Sequence, residues 1–380
     1  MASPGISSIG LDRTAAAKLI RKARVGGVLF TSPENVFYTT GAHTLPGTGN
    51  PILFALRSSL PTLSYVDAEG KVTLFVWIGA AMGIDYAETD VRTFIDRSGA
   101  EEELASFLKE RVSGGARVGV ESSCPFWALG LVEGVMGREN VLLADQIPFE
   151  LRLVKSADEL DLIWRSARIV EAAVSDLGER IRVGVSRLEL AQDARRFLIE
   201  RGATAVDHLT IAFGPSNPEV LTDEALREGQ LVTLDIGAVF EGYVSDNRRL
   251  FYSGASVPEA TRKLHSILVS IVDAVGAALK PGAAFSEVYA LAVSLFEREG
   301  LQPMFFHVGH SIGIQTEEAW ISADSALKVQ EDMVLNIELY APDESGVMVG
   351  DEETFVVGSE GGWRVTVSPR EIRTVRSSNP

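Results

Sequence analysis

Apolar and β-branched residues flank the pair Glu241-Gly242 within residues 231–252, LVTLDIGAVFEGYVSDNRRLFY. This pattern predicts a hairpin of two β-strands, because a glycine-containing pair is typical of a tight turn. Pairing the strands outward from the turn places Gly237 opposite Asp246. Side chains two positions apart share a face of a strand, so we expect Asp235 near Asp246, with Cα atoms about 7–8 Å apart. The hairpin therefore predicts two carboxylates that can share a metal ion, with two solvent-exposed aspartates as the alternative.

Strands and helices alternate through the first 150 residues of the chain. We predict strands at Val28–Thr31, Ile52–Leu56, Thr62–Val66, Val72–Trp77 and Val118–Glu121. Helices are predicted at residues 12–25 and 99–112. This alternation is typical of an α/β domain with a central sheet. The segment LLADQIPFELRLVK marks a boundary, so we expect one domain over residues 1–150 and a second over residues 151–380.

Two capping boxes mark helix starts in the second half of the chain. Ser156 is followed by Glu159, and Ser186 is followed by Glu189. In each pair the hydroxyl and the carboxylate can both satisfy backbone groups at the helix N-terminus. We therefore predict helices that begin directly after Ser156 and Ser186.

The helix after Ser186 has a counterpart later in the chain. Matching residues lie 98 positions apart: Gly184 and Gly282, Glu189 and Glu287, and Gly202 and Gly300. They predict another helix that opens after Pro281 and ends at Gly300. Each helix precedes a predicted strand, at residues 208–213 and 303–308. The spacing indicates an internal duplication, with a chance likeness between two amphipathic helices as the alternative.

Composition narrows the possible partners and compartment. With 52 acidic and 35 basic residues, the net charge is −17, which argues against nucleic acid or an anionic membrane as the main partner. The single cysteine, Cys124, excludes an internal disulfide and fits a reducing compartment. The N-terminus lacks the pattern of a signal peptide, and the longest apolar run, Val72 to Ile84, is too short to span a bilayer. We therefore expect a soluble, cytoplasmic protein.

Three more candidate metal ligands follow the aspartate pair: His310 in GHSIGI, Glu338 in NIELY and Glu352 in DEETFVV. Glu338 lies in an alternating strand, where a carboxylate costs on the order of several kcal/mol unless it is paired or coordinated. Four carboxylates and one imidazole form an oxygen-rich set that suits Mn, Co, Fe or Zn. Four carboxylates also balance the charge of two divalent ions. Two such ions can activate water and polarise a carbonyl group.

Through these motifs, the sequence resembles the creatinase/prolidase/aminopeptidase P family of metallohydrolases. The likeness also includes GVLFTSPENVFYTTGA, residues 27–42, and LRLVKSADELDLIWRSARI, residues 151–169, and it covers nearly the whole chain. It implies an α/β N-terminal domain of the creatinase/prolidase type and an α+β catalytic domain of the pita-bread fold. It also implies a homodimer.

The resemblance assigns roles to individual residues. It implies a dinuclear site for two divalent ions, Mn (manganese), Co, Fe or Zn, whose ligands are Asp235, Asp246, His310, Glu338 and Glu352. Asp246 and Glu352 are expected to bridge the two ions, and Glu338 to accept the proton of the attacking water. His307 is expected to bind substrate and to take part in catalysis. Arg249 matches an arginine of the family and is expected to pair with a ligand carboxylate.

Two departures from the family concern substrate. Prolyl peptidases of the family carry a histidine in the loop before the two-aspartate motif, but GPSNPEVLTDEALREG has none. They carry a second histidine where this chain has Glu317, in the pair Glu317-Glu318. We expect Glu317 to bind a cationic group of the substrate. His208, at the start of a predicted strand, is a candidate replacement proton carrier, with an ordinary strand residue as the alternative.

The leading hypothesis is a metal-dependent hydrolase of an amide or other C–N bond in a small molecule or short peptide, similar to Xaa-Pro dipeptidases and aminopeptidase P. One alternative is a relative of creatinase, ectoine hydrolase or dimethylsulfoniopropionate lyase. The other is a non-catalytic binding module of the same fold. The presence of all five expected ligands argues against that last alternative.

Overall fold

The computed structural model describes residues 5–45, 48–111, 116–302 and 306–375. The chain divides into two units, Met1–Arg152 and Leu153–Pro380. Among the described residues, no helix is long and apolar enough to cross a membrane.

The first unit alternates strands and helices. Its described strands are β1 (Gly5–Ile6), β2 (Gly27–Phe30), β3 (Leu63–Asp67), β4 (Val72–Trp77), β5 (Asp85–Tyr86), β6 (Thr89–Phe94), β7 (Val118–Val120) and β8 (Val141–Leu143). Its described helices are α1 (Arg13–Lys22), α2 (Pro33–Thr40), α3 (Pro51–Ala55), α4 (Ile78–Ala81), α5 (Arg97–Arg111), α6 (Phe126–Met136) and α7 (Gln146–Leu153), with a 3₁₀ turn at Arg138–Asn140. In this part of the chain, six strands form a mixed sheet in the order β6-β4-β3-β2-β7-β8, and β1 pairs with β5.

One predicted strand of the first unit is wrong. Residues Ile52–Leu56 were expected to be extended, but they belong to helix α3 and its C-terminal cap. The side chain of Asn50 accepts a hydrogen bond from the backbone N–H of Ile52 at 3.1 Å, and Pro51 occupies the first helical position. Both features start a helix, and they outweigh the apolar run that suggested a strand. The other predicted strands and helices of this unit are confirmed within a few residues.

The second unit carries four described helices: α8 (Ala157–Gly178), α9 (Arg187–Glu200), α10 (Glu259–Ala277) and α11 (Phe285–Arg298). Its described strands are β9 (Ala205–Phe213), β10 (Leu231–Phe240), β11 (Tyr243–Tyr252), β12 (His307–Ser311), β13 (Ala319–Ser322), β14 (Val334–Pro342), β15 (Met348–Gly358), β16 (Gly361–Arg364) and β17 (Arg373–Thr374). The described strands form two sheets, one in the order β17-β11-β10-β9 and one in the order β13-β12-β14-β15-β16.

The predicted hairpin is confirmed as β10 and β11. Phe240 pairs with Tyr243, and Gly237 pairs with Asp246. The pair Glu241-Gly242 has positive φ at both residues, 48° and 87°, as a tight two-residue hairpin turn requires. The turn therefore sets the register that brings the two aspartates to one face.

The two predicted capping boxes are also confirmed. The hydroxyl of Ser156 accepts from the N–H of Glu159, whose carboxylate accepts from the N–H of Ser156 at 2.7 Å. Ser186 and Glu189 form the same pair of bonds, at 3.2 and 2.8 Å. Each box satisfies backbone donors that would otherwise be unpaired at a helix end.

The internal duplication is visible in the order of the elements. Helices α9 and α11 begin and end 98 residues apart, and the glycines before them, Gly184 and Gly282, have φ of 91° and 96°. Each half contains two helices and three strands that pair side by side. The strands pair in the order β9-β10-β11 in the first half and β12-β14-β15 in the second. Of the predicted strand 303–308, residues 303–305 lie outside the described residues, and β12 begins at His307.

The core of the first half lies between helices α8 and α9 and the sheet β9–β11. It contains Val170, Leu177, Leu190, Phe213, Leu234 and Ile236, all buried. Because side chains alternate along a strand, Asp235 points to the opposite face from Leu234 and Ile236. The helices thus bury one face of the sheet and leave the other for the acidic residues.

The duplicated helices differ at their N-terminal caps, and this predicts two opposite changes in stability. Ser186 caps α9, whereas Ala284 occupies the same place before α11 and has no side-chain oxygen to accept a hydrogen bond. We expect Ser186→Ala to lower the free energy of unfolding by about 1 kcal/mol, and Ala284→Ser to raise it by a similar amount. Urea unfolding of both metal-free variants measures this. An Ala284→Ser variant with an unchanged free energy of unfolding would contradict the equivalence of the two caps.

Candidate metal centre

The five predicted ligands come from five strands of the second unit. Asp235 lies on β10, and Asp246 lies on β11, opposite Gly237. Glu338 on β14 and Glu352 on β15 are direct cross-strand partners. His310 lies on β12, which pairs with β14. The hydroxyl of Thr354 on β15 donates to the backbone carbonyl of Asp246 at 3.3 Å and so connects the two sheets at this point.

The side chains of these five residues meet in one cluster. Nε2 of His310 lies 3.7 Å from Oδ2 of Asp246 and 3.7 Å from Oε1 of Glu338. Donor atoms of Asp246, His310 and Glu352 all lie within 4.8 Å of one another, and all three residues are buried. Asp235 and Glu338 are partly exposed at the edges of the cluster.

Crowded carboxylates strain this cluster electrostatically. Burial raises the pKa of Glu352 well above its usual value, and the neighbouring Asp246, Asp235 and Glu338 raise it further. Burial also raises the pKa of Glu338. For Asp235 burial acts in the same direction, but the guanidinium of Arg248 and the imidazole of His208 outweigh it and lower the pKa.

The donor set fits divalent cations. Oε2 of Glu352 is buried and accepts no hydrogen bond from the described residues. A buried carboxylate oxygen that accepts no hydrogen bond is costly, and a coordinated cation removes that cost. Oxygen donors from four carboxylates together with an imidazole suit hard or borderline divalent ions.

Two cationic side chains, Arg248 and His208, enter the cluster in addition to the five predicted ligands. Arg248 forms an ion pair with Oδ2 of Asp235 and lies 3.7 Å from Oε2 of Glu352. His208, on β9, places Nε2 3.2 Å from Oδ1 of Asp235 and 3.1 Å from Oδ1 of Asp246. Burial alone would lower the pKa of His208, but the carboxylates around it raise it well above its usual value.

The sequence patterns missed Arg248, although the predicted hairpin register contained the signal. Asp235 and Arg248 are direct cross-strand partners, as follows from pairing outward from the turn. The prediction that Arg249 pairs with a ligand carboxylate is wrong. Arg249 points to the other face, where it pairs with Glu353 at 3.0 Å, and it contacts Glu352 only through that residue's backbone carbonyl, at 3.4 Å. Arg248 makes the expected pairing.

The residues predicted to bind substrate lie on one side of the cluster. Nδ1 of His307 is 3.6 Å from Oε1 of Glu338, and the His307 ring is parallel to that of Trp320, with centroids 6.3 Å apart. Glu317 is exposed and accepts a hydrogen bond from Nε1 of Trp320 at 2.8 Å. Its carboxylate lies within 4.8 Å of donor atoms of His310 and Glu338.

The neighbouring acid, Glu318, turns away from the cluster. It forms a buried ion pair with Lys155 at 3.2 Å and accepts from the backbone N–H of Ile314 at 3.1 Å. Glu318 therefore holds the loop in place, and Glu317 is the acid that faces the candidate site.

Comparison with known proteins agrees with this geometry. Residues 161–359 match the model of metallopeptidase family M24, and residues 13–154 match that of the creatinase/prolidase N-terminal domain. These matches define a metal-dependent hydrolase. The first covers more than half of the chain, and the protein belongs to metallopeptidase family M24. The family implies divalent metal ions at the acidic cluster.

Relatives of known name extend the match over the chain. The Xaa-Pro dipeptidase of Pyrococcus horikoshii is 25% identical over 364 residues, which is 92% of this chain and 95% of the relative. The Xaa-Pro dipeptidase of Pyrococcus furiosus is 26% identical over 369 residues, 93% of this chain and 97% of the relative. The solved Xaa-Pro dipeptidase of Bacillus anthracis superposes with a TM-score of 0.82 at 21% identity, over 96% of this chain and 100% of that one.

These findings confirm the predicted family and the predicted fold class, an α/β N-terminal domain with an α+β pita-bread catalytic domain. They favour the peptidase hypothesis over the creatinase-, ectoine hydrolase- and dimethylsulfoniopropionate lyase-like alternatives.

The repulsion within the cluster predicts that divalent ions stabilise the fold. We expect Mn²⁺ or Co²⁺ at about 100 times its dissociation constant to raise the free energy of unfolding by about 2.7 kcal/mol. Asp246→Ala should remove most of this gain, because Asp246 faces both His208 and His310. Asp193→Ala, which changes a surface aspartate on α9, is the matched control and should keep the gain. Urea unfolding with and without metal measures the effect, and a wild-type protein indifferent to metal would contradict it.

Proposed function

We propose that the protein is a metal-dependent dipeptidase that hydrolyses the amide bond of short peptides, with Xaa-Pro dipeptides as the first substrates to test. The convergence of four carboxylates and His310 in one largely buried cluster is the observation that carries this proposal. Relatives named Xaa-Pro dipeptidase over more than nine-tenths of this chain support the substrate class.

The proposed ligands of two divalent ions are Asp235, Asp246, His310, Glu338 and Glu352. The ions belong to the set Mn, Co, Fe and Zn, since these accept carboxylate and imidazole together. Bound divalent ions lower the pKa of water and polarise a carbonyl oxygen, which is the chemistry that amide hydrolysis needs.

Glu338 is the proposed proton acceptor. Its Oε2 accepts a hydrogen bond from the hydroxyl of Tyr340, so Oε1 is the atom that faces the cluster. Oε1 lies 3.6 Å from Nδ1 of His307 and 3.7 Å from Nε2 of His310. A carboxylate in this position can take a proton from water on one side and pass it to the leaving nitrogen.

His307 and Glu317 are the proposed substrate-binding residues. The buried Nδ1 of His307 has no hydrogen-bond partner among the described residues, so it can bind a substrate oxygen or nitrogen. Glu317 presents its carboxylate next to His310 and Glu338. We assign it to a cationic group of the substrate that Xaa-Pro dipeptides need not carry, such as a side-chain amine or amidine.

Three finer properties complete the proposal. Manganese is the first metal to test, a homodimer is the expected assembly, and the cytoplasm is the expected compartment. The dimer follows from the family resemblance, and the single cysteine fits a reducing compartment. Light scattering of the purified protein tests the assembly.

The proposed function predicts metal-dependent hydrolysis that requires Glu338. Wild-type protein loaded with Mn²⁺, Co²⁺ or Zn²⁺ should cleave members of a panel of Xaa-Pro and other dipeptides, and metal-free protein should not. Glu338→Gln should lower kcat by about 10²–10⁴, because an amide cannot accept the proton, while elemental analysis still finds metal. A loaded wild-type enzyme that cleaves no peptide of the panel would refute the proposal, and wild-type kcat in Glu338→Gln would refute the role of Glu338.

Because Glu317 stands where prolyl peptidases carry a histidine, we expect weak cleavage of Xaa-Pro dipeptides. Replacing this residue by histidine should improve that cleavage. A carboxylate repels the negative charge that develops on the carbonyl oxygen, whereas an imidazole donates to it, and one such donor is worth about 10²–10³ in rate. We expect Glu317→His to raise kcat/KM for Xaa-Pro dipeptides by about 10-fold or more.

Glu317→Gln is the matched control for this effect. It removes the charge without adding an imidazole and should give a smaller gain. Wild-type cleavage of Xaa-Pro dipeptides that falls in Glu317→His would show that Glu317 supports prolyl substrates.

A further inference from the structure

The imidazole of His208 lies where a metal ligand would lie. Its Nε2 is 3.2 Å from Oδ1 of Asp235 and 3.1 Å from Oδ1 of Asp246, which are two of the proposed ligands. Donor atoms of all three residues lie within 4.8 Å of one another, a separation that one ion can span. Two carboxylates and an imidazole that converge in this way form a ligand set in their own right.

The other nitrogen of His208 is fixed by a carboxylate. Nδ1 lies 2.9 Å from Oδ2 of Asp207, and the hydroxyl of Thr316 donates to the same oxygen of Asp207. Metal-binding histidines almost always donate their second N–H to a carboxylate or carbonyl, which fixes the tautomer and the direction of the ring. With Nδ1–H donating to Asp207, Nε2 is the ring nitrogen that faces Asp235 and Asp246, and once it loses its proton it can bind an ion held by them.

The neighbouring strand leaves room for this ring. The pairing of β9 with β10 is irregular between Ile236 and Ala238, so residues of β9 bulge opposite Gly237. A Cβ atom at Gly237 would overlap the imidazole of His208. The ring therefore reaches the aspartates across a position that has no side chain.

The internal duplication gives His208 a counterpart. In the second half, strands β12, β14 and β15 contribute His310, Glu338 and Glu352. In the first half, the equivalent strands β9, β10 and β11 contribute His208, Asp235 and Asp246. Each half thus supplies one imidazole from its first strand and one carboxylate from each of the next two.

Arg248 makes an additional donor useful in the first half. It is paired with Oδ2 of Asp235, which leaves only Oδ1 of that residue for a metal ion. An ion at this place can bind only one oxygen of Asp235, and Nε2 of His208 is a nitrogen donor close to that oxygen.

We propose that His208 is a protein ligand of the ion held by Asp235 and Asp246, so that each half of the duplicated unit supplies one histidine and two carboxylates. This inference rests on the proposed metallopeptidase function and adds a sixth ligand to its site. Imidazole suits Zn, Fe and Co better than Mn, so His208 shifts the preference of this position toward those ions.

The test compares metal binding in wild type, His208→Ala and Asp207→Asn. Metal-free proteins are titrated with Zn²⁺ and Mn²⁺ in competition with a chelator, and the visible spectrum is recorded with Co²⁺. We expect His208→Ala to weaken binding of one Zn²⁺ by about 10–100-fold or more, to weaken Mn²⁺ less, and to change the Co²⁺ spectrum. Asp207→Asn keeps the imidazole and should weaken Zn²⁺ by about 10-fold. His43→Ala, which removes an exposed imidazole of the first unit, is the control and should match wild type.

Three results would overturn the assignment. Wild-type Zn²⁺ affinity and Co²⁺ spectrum in folded His208→Ala would show that the imidazole is not a ligand. Should that variant fail to fold, unchanged Zn²⁺ affinity in Asp207→Asn decides against the proposal in the same way. Retained metal with a loss of kcat and a shifted pH profile would instead make His208 a proton carrier. A wild type that binds two ions but cleaves no peptide would refute the proposed function and leave the test of His208 unaffected.

Discussion

The mutual repulsion of four carboxylates in one cluster is the constraint on which the second unit depends. Two unit charges 4 Å apart interact by roughly 4 kcal/mol at the effective dielectric of a protein, so such a group cannot form unless the rest of the fold imposes it. Two hairpins impose it, since Asp235 and Asp246 come from one and Glu338 and Glu352 from the other. Arg248 and His208 offset part of the charge within the protein. Bound divalent ions supply the positive charge that neutralises the rest.

Alternation along the strands lets one segment serve both stability and chemistry. Leu234 and Ile236 are buried under helices α8 and α9, and Asp235 between them points to the cluster. A slip of one residue in the pairing would exchange these faces and place the carboxylate in the core. The two-residue turn at Glu241-Gly242 prevents the slip, because its positive φ angles allow one register. The turn is therefore as important to the site as the ligands are.

Local patterns predicted much of the chain, and non-local contacts account for most of what they missed. The hairpin, the capping boxes and the family followed from neighbouring residues in sequence. The strand predicted at Ile52–Leu56 failed because Asn50 and Pro51 start a helix, a signal that the apolar run masked. His208 reaches the cluster only through a bulged pairing opposite Gly237, which no periodicity reveals. Of the two acids Glu317-Glu318, only the fold shows that Lys155 draws one away from the cluster.

The two halves of the duplication have kept their ligand positions and diverged around them. Arg248 follows the ligand Asp246 by two residues, and Thr354 follows the ligand Glu352 by two residues. The hydroxyl of Thr354 donates to the backbone carbonyl of Asp246. The first half therefore carries a fixed positive charge at this position, where the second half carries a neutral hydroxyl. The groups proposed to contact substrate, His307 and Glu317, both come from the second half, with Trp320 beside them. The duplication thus separates a half that neutralises the cluster from a half that presents it to substrate.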